Sequence, residues 1–279
     1  MVLKGVEVAR AINERIAKEM ESLDIAAPHL AIIRVGEKGD DIAYERGAIK
    51  KMEKVNFRCT SNVFPEGISN EDFLAEFDKI NNDDDIDGIL LLKPLPKHID
   101  EAEVLKRIDP VKDLDGISSI NMAKVYSGDE SGYAPCTAEA VLEMLKFANV
   151  DLTGKRVTVV GRSLVIGKPV SMLLMKANAT VTICHTRTAD MKAECNRAEV
   201  LVAAAGVANM IDDSYVSDGA VVMDVGINVN EEGKLCGDVD FEKVESKASI
   251  ITPVPGGVGS VTTSVLALHL LKAAKIRRG

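Results

Sequence analysis

The sequence predicts an α/β fold of two domains, the second built on a doubly wound parallel sheet. Three observations carry this. Helical and strand periods alternate along nearly the whole chain, the helical segments are long enough to cross over between parallel strands, and 279 residues exceed one ordinary domain.

Val6, Ala9, Ile12, Ile16, Met20 and Leu23 recur at helical spacing. Leu30 to Val35 is a short apolar run stopped by Gly36, the pattern of a buried strand. Asp40 and Asp41 open a second helical pattern that lasts through Val55, and a strand-like segment follows from Phe57 to Phe64. Glu71 and Asp72 favour a helix start in the segment from Asn70 to Asn81. Ile89 to Leu92 reads as a fully apolar strand, closed by Pro94-Leu95-Pro96. A helix from Thr137 to Ala148 links the halves. Beyond it, strands are expected at Arg156 to Val160, Thr180 to Cys184, Val200 to Ala204, Ala220 to Val225 and Ile250 to Val254, with helical segments between most of them. Thr263 to Lys275 reads as a final helix, with Lys272, Lys275, Arg277 and Arg278 at the end where cations are favoured.

Composition excludes several classes. Hydrophobic residues at 46% and charged residues at 28% are globular values, which rules out disorder over most of the chain. The longest apolar run, Val200 to Ala208, is about half of a membrane span. Glu7, Arg10 and Glu14 stand where a signal peptide would be apolar, so a cytoplasmic protein is expected. A net charge of −9 argues against a nucleic-acid partner, and the absence of Trp argues against stacking platforms. Five scattered cysteines without a CxxC pair fit neither a disulfide framework nor a zinc site. His29, His98, His185 and His269 show no metal-ligand spacing, so no metal is expected. Asp83-Asp84-Asp85 reads as a solvated turn and Cys136 as a small buried residue.

The second half carries the candidate ligand residues. The strand ending at Val160 runs into Gly161-Arg162-Ser163, with Gly167 six residues after the first glycine. Glycines there permit a tight turn, and the helix that follows would offer free N–H groups to a phosphate. The segment is not GxGxxG, so an ordinary βα turn competes with this reading. The next strand ends in Cys184-His185-Thr186-Arg187, with no carboxylate for a ribose 2′-hydroxyl. Thr186 and Arg187, with Arg162 as a second cation, suit a 2′-phosphate instead, which leans toward NADP. A merely solvated Arg187 is the competing reading. Ala205-Gly206 and Gly226-Ile227 close two later strands, at the edge where such sheets meet ligands. In the loop from Thr252 to Ser260, prolines fix the backbone and Gly256, Gly257 and Gly259 allow close approach. These residues alone define a two-domain NAD(P)-binding oxidoreductase. A shikimate-type dehydrogenase is an equal candidate at this level, although its Lys/Asp pair has no convincing place in the chain.

Six ordered segments resemble the methylenetetrahydrofolate dehydrogenase/cyclohydrolase family over nearly the whole chain. They are Pro94-Leu95-Pro96-Lys97-His98, Lys112-Asp113-Leu114-Asp115-Gly116, Pro135-Cys136-Thr137, Gly161-Arg162-Ser163, Asp224-Val225-Gly226-Ile227-Asn228 and the run from Pro253 to Gly259. The resemblance implies a folate-binding catalytic domain of residues 1–136 plus 264–279 and a Rossmann-type NADP-binding domain of residues 137–263. It also implies a folate cleft between them, a last helix returning to the first domain, and a homodimer. Tyr44 and Asp115 match catalytic positions. Substrate contacts fall on Tyr44, Pro94, Leu95, Pro96, Asp115, Pro255, Gly256 and Gly257. Cofactor contacts fall on Gly161, Arg162, Ser163, Gly167, His185, Thr186, Arg187, Ala205, Gly206, Gly226 and Ile227.

The chain departs from the family at one paired position. The family lysine four residues after Tyr44 falls on Ala48, and the glutamine that bonds it falls on Leu92, followed by Lys93 where leucine is usual. Smaller departures are Ala123, Ala138, Ala140 and Ser260. Lysine and glutamine would move protons in hydrolysis of the methenyl ring, which needs a tuned acid/base group. Hydride transfer moves no proton at the reacting carbon and mainly needs folate and nicotinamide held face to face. The expectation is therefore a dehydrogenase with cyclohydrolase activity lost or weak. One alternative is a bifunctional enzyme served by Lys51, on one helix face with Tyr44 and Ala48 and leaning toward them, or by Lys93. Another is an idle folate- or nucleotide-binding protein.

Overall fold

The computed structural model describes all 279 residues, Met1 to Gly279. Helices α1 (Gly5–Glu21), α2 (Gly39–Lys54), α3 (Asn70–Asn81), α4 (Glu101–Arg107) and α5 (Ser119–Ser127) accompany strands β1 (His29–Val35), β2 (Arg58–Phe64) and β3 (Gly88–Leu91). Helix α6 (Cys136–Phe147) is followed by β4 (Arg156–Val160), α7 (Gly167–Lys176), β5 (Thr180–Cys184), α8 (Met191–Asn196), β6 (Val200–Ala203) and β7 (Val221–Asp224). The short strands β8 (Asn228–Val229) and β9 (Leu235–Cys236), α9 (Phe241–Val244), β10 (Ile250–Ile251) and α10 (Thr262–Arg278) complete the order. The chain forms two compact units, one of residues 12–136 with 263–279 and one of residues 1–11 with 137–262.

The 12–136 unit is built on a three-stranded parallel sheet in the order β2-β1-β3. All seven residues of β1 are buried, as its central position requires, whereas edge strand β2 is largely exposed. Ala31, Ile33 and Val35 of β1 form a core with Phe73 and Phe77 of α3, Ile89 and Leu91 of β3, and Leu95. Helix α3 is capped by Ser69, whose hydroxyl accepts from Asp72 N–H at 3.0 Å. Asp85 lies in an exposed turn, as expected, but it also pairs with Arg58 and meets His29 Nδ1 at 3.1 Å. The Arg58 guanidinium holds its carboxyl down at about 2.

The other unit carries a five-stranded parallel sheet in the order β10-β7-β6-β4-β5. After β4 the chain moves outward to β5, then returns to β6 on the opposite side of β4. That reversal is the switch point at which doubly wound sheets bind ligands. Strands β6 and β7 are buried at every position, and Leu201, Ala203, Val222 and Ile251 join one core.

Residues 1–11 belong to this second unit, which differs from the boundary drawn from the sequence. Val2 pairs in parallel with Ile251, Leu3 N–H donates to Ile251 O at 2.8 Å, and Ile251 N–H donates to Met1 O at 3.0 Å. The segment thereby satisfies the outer backbone groups of edge strand β10. Strand β10 itself is shorter than expected because Pro253 and Pro255 have no N–H to extend it. No helix is long and apolar enough to cross a membrane, and no group of three His, Cys, Asp or Glu side chains is placed to hold a metal ion.

Candidate active site

In the 12–136 unit the Lys112–Gly116 segment is pinned at every residue. Lys112 is buried and its Nζ donates to Asn81 O and Asp83 O, both at 2.7 Å. Asp113 accepts from Ile117 N–H at 3.0 Å, Ser118 N–H at 2.8 Å and Asn121 Nδ2 at 2.9 Å. His269 of α10 meets Leu114 O through Nδ1 at 2.7 Å. Gly116 has φ +60, and a Cβ there would lie 2.3 Å from Tyr133 O, so only glycine fits. Asp115 stands between these fixed neighbours, and its Oδ1 accepts from Cys136 N–H at 2.9 Å. Burial pushes its carboxyl pKa up, and the Cys136 bond works in the opposite direction. Cys136 is buried, as expected, with its Sγ 3.5 Å from Leu114 O.

Helix α2 presents Tyr44, Ala48 and Lys51. A buried ion pair fixes this helix to the sheet: Arg34 Nε meets Glu45 Oε2 at 2.6 Å, Ser61 Oγ donates to Glu45 Oε1, and Arg34 also donates to Gly36 O. Ala48 is 0% exposed and Leu92 is 7% exposed, so both sites of the paired departure are apolar and closed. Lys51 Nζ donates to Ser264 Oγ at 2.8 Å and Asn13 Oδ1 at 3.1 Å. Burial, with Lys54 nearby, lowers its pKa. Lys93 instead pairs with Glu101 at 2.9 Å. The Lys93–Pro94 peptide is cis. Pro94 is exposed and Pro96 partly so, whereas the Leu95 side chain is packed in the core.

In the second unit the remaining candidates gather along the carboxyl edge of the sheet. Gly161 N–H donates to Cys184 O at 2.9 Å, which sets the ends of β4 and β5 side by side with Arg162 and the His185–Arg187 turn beyond them. A Cβ on Gly161, with φ +127, would lie 2.1 Å from Ala204 O, and one on Gly167 would lie 2.2 Å from Gly161 O. Both positions therefore require glycine. Arg162, Thr186 and Arg187 are exposed, and Arg187 N–H donates to His185 Nδ1 at 3.0 Å. Asp224, Gly226, Ile227, Pro255, Gly256 and Gly257 line one cavity of about 250 Å³.

The start of α7 differs from what the sequence predicts. The first turn of α7 does not offer free N–H groups. Ile166 and Gly167 N–H donate to Ser163 Oγ at 3.1 and 3.4 Å, Lys168 N–H donates to Ser163 O at 3.0 Å, and residue 169 is proline. Ser163 thus occupies the N–H groups at the start of α7 from the loop before it, leaving its hydroxyl proton free to donate. Sequence reasoning also missed Asp238, Glu45 and His269. Their partners lie 10 to 155 residues away, and no local pattern marks them.

A parallel sheet with a switch point, obligatory glycines at its carboxyl edge and exposed cations beside them are the features of a nucleotide-binding α/β protein of doubly wound type. The chain belongs to the tetrahydrofolate dehydrogenase/cyclohydrolase family: residues 3–115 match that family's catalytic domain and residues 135–278 its NAD(P)-binding domain. A relative from Clostridioides difficile strain 630, called bifunctional protein FolD, is 51% identical over 278 residues, covering 99% of this chain and 97% of the relative. The crystal structure of a bifunctional methylenetetrahydrofolate dehydrogenase/cyclohydrolase from Campylobacter jejuni superposes with a TM-score of 0.93 at 36% identity, covering 99% of both chains. The corresponding Trypanosoma brucei enzyme, solved with NADP and an inhibitor, superposes at 0.91 with 33% identity, covering 99% of this chain and 97% of that one.

Proposed function

We propose that this chain oxidises 5,10-methylenetetrahydrofolate with NADP and also hydrolyses the methenyl product to 10-formyltetrahydrofolate. The observation that carries the reading is the family match to both domains on a chain whose Asp115 loop and glycine-lined carboxyl edge are intact. The relatives are called bifunctional, which favours retained hydrolysis over the expectation of its loss.

The residues fit the cofactor. Gly161 leaves room for nothing larger, Arg162 and Arg187 supply cations for a 2′-phosphate, and Ser163 supplies a hydroxyl. NADP, when bound, supplies the hydride acceptor. Asp115 accepts N–H groups of the pterin and orients the ring, with its carboxyl already aimed by Cys136 N–H. Pro255, Gly256 and Gly257 give a stiff, flat wall. The methylene carbon loses its hydride to the push of the adjacent nitrogen lone pair, so the apolar Ala48 position does not impede this step.

Hydrolysis needs a proton donor and acceptor, which Ala48 and Leu92 cannot be. Lys51 is the group we assign, because it shares a helix face with Tyr44 and Ala48 and its partial burial lowers its pKa. A second reading, oxidation with weak hydrolysis, is favoured by the closed apolar site at Ala48 and Leu92. A coupled assay from methylenetetrahydrofolate separates them. Retained hydrolysis passes methenyl on to formyl above the spontaneous rate, and Lys51→Ala lowers that flux at least tenfold with oxidation within twofold. Methenyl that accumulates, with Lys51→Ala and Lys93→Ala both without effect, establishes the second reading. No nicotinamide reduction at all removes both and leaves an idle binding protein. The homodimer belongs to the same proposal, and a light-scattering mass of one chain would remove it.

A further inference from the structure

Three consecutive backbone N–H groups after β6 converge on one side chain. Ala205 and Gly206 donate to Asp238 Oδ2 at 2.5 and 3.0 Å, and Val207 donates to Oδ1 at 2.9 Å. Asn228 Nδ2 donates to the same Oδ1 at 2.9 Å. Successive N–H groups turned inward around a positive-φ residue, here Gly206 at +70, form a nest that binds anions. The anion in this nest is the protein's own fully buried carboxylate.

A second carboxylate stands behind the first. Asp224 Oδ1 accepts from Asp238 N–H and Gly226 N–H, and Oδ2 accepts from Val239 N–H, all at 3.0 Å. Asp224 N–H donates to Thr252 Oγ1 at 2.8 Å, at the root of the Pro/Gly loop. The two side chains thus join the ends of β6 and β7 and the segment after β9, and the Asp224 backbone ties them to the segment after β10. They also explain two glycines: a Cβ on Gly226 would lie 2.2 Å from Asp238 Oδ1, and one on Gly237 would lie 1.8 Å from Asp224 Oδ2.

We infer that Asp238, seated on Asp224, is the positioning residue that holds the Ala205–Val207 turn and the Gly226 turn in the shape the cofactor needs. The inference rests on the proposed reading of this edge as an NADP site. Loops rich in glycine lose affinity if they must order when the ligand arrives, and a buried carboxylate that consumes their N–H groups orders them beforehand.

NADP binding by calorimetry and steady-state kinetics of wild type, Asp238→Asn and Asn228→Ala test this. Asparagine turns one acceptor into a donor facing backbone N–H groups, so Asp238→Asn raises Kd and KM for NADP at least tenfold. KM for folate stays within twofold, and kcat at saturating NADP within threefold. Asn228→Ala removes one bond to Asp238 and raises Kd for NADP two- to fivefold. A folded Asp238→Asn protein with unchanged NADP affinity, or with folate KM rising in equal measure, overturns the inference. If Asp238→Asn does not fold, Asn228→Ala decides, and unchanged NADP affinity there overturns it. A wild type that binds no NADP overturns the reading of the site itself, an outcome distinct from variants that bind as well as wild type.

Discussion

Arg187 lies in an exposed turn that Thr188 N–H closes on His185 O at 2.8 Å and His185 N–H closes on Thr188 Oγ1 at 2.9 Å, with its own N–H on His185 Nδ1. A guanidinium so placed contributes charge and little packing, so its removal is a clean probe of the 2′-phosphate. Arg187→Ala is expected to raise KM for NADP about tenfold, the scale of one charge-assisted bond at roughly 1.5 kcal/mol, with KM for NAD unchanged. Equal losses for both cofactors would assign Arg187 elsewhere. Ala48 poses the opposite problem, a missing charge in a closed place. Ala48→Lys is expected to raise hydrolysis of methenyltetrahydrofolate at least tenfold over wild type while lowering the melting temperature, because an ammonium there is desolvated. A variant that melts lower without gaining hydrolysis would show that lysine alone does not rebuild the apparatus and that Leu92 must change with it.

At the scale of elements, α2 depends on one buried pair. Breaking it from one side leaves an uncompensated charge, so Glu45→Ala is expected to cost about 3–5 kcal/mol in urea unfolding, whereas Arg34→Met with Glu45→Leu stays within about 2 kcal/mol of wild type. A single mutant as stable as the double would mean the pair is not desolvated. The elements also differ in how plainly the sequence marks them. Strand β1 and helix α3 follow from apolar period and an acidic first turn, and the strands of the second unit stand where expected apart from β10, which ends early at Ile251. Helices α4 and α5, of seven and nine residues, are too short to show a period, and the two-residue strands β8 and β9 show none. The glycine turns were legible as ligand edges because strand ends and glycines are local signals. The bonds from the start of α7 to Ser163 were not, since a serine that takes up those N–H groups and one that leaves them open read alike. Asp238 was invisible for a stronger reason: its meaning lies in amides some 30 residues away.

Over the whole molecule the buried carboxylates make stability depend on pH. Burial, with Asp238 adding to it, pushes Asp224 up to about 7, against three N–H bonds that favour the ionised form. An unfolded aspartate titrates near 3.9, so the folded form binds this proton more tightly. The contribution is therefore fully present below about pH 4 and is lost as pH rises through about 7. Urea unfolding of wild type and Asp224→Asn is expected to show wild type gaining on the variant as pH falls from 8 to 5. A difference that is flat or slopes the other way would mean that the N–H bonds outweigh burial.

Neither compact unit is a continuous stretch of chain. Residues 1–11 complete the sheet that ends at β10, and α10 completes the unit whose strands lie before residue 92. On the ribosome, the 12–136 unit must therefore wait for the last helix to be made, while the opening segment waits about 250 residues for the strand it pairs with. A cut between residues 136 and 137 would leave two fragments that each hold a piece of the other's fold, and they would regain structure only by trading those pieces.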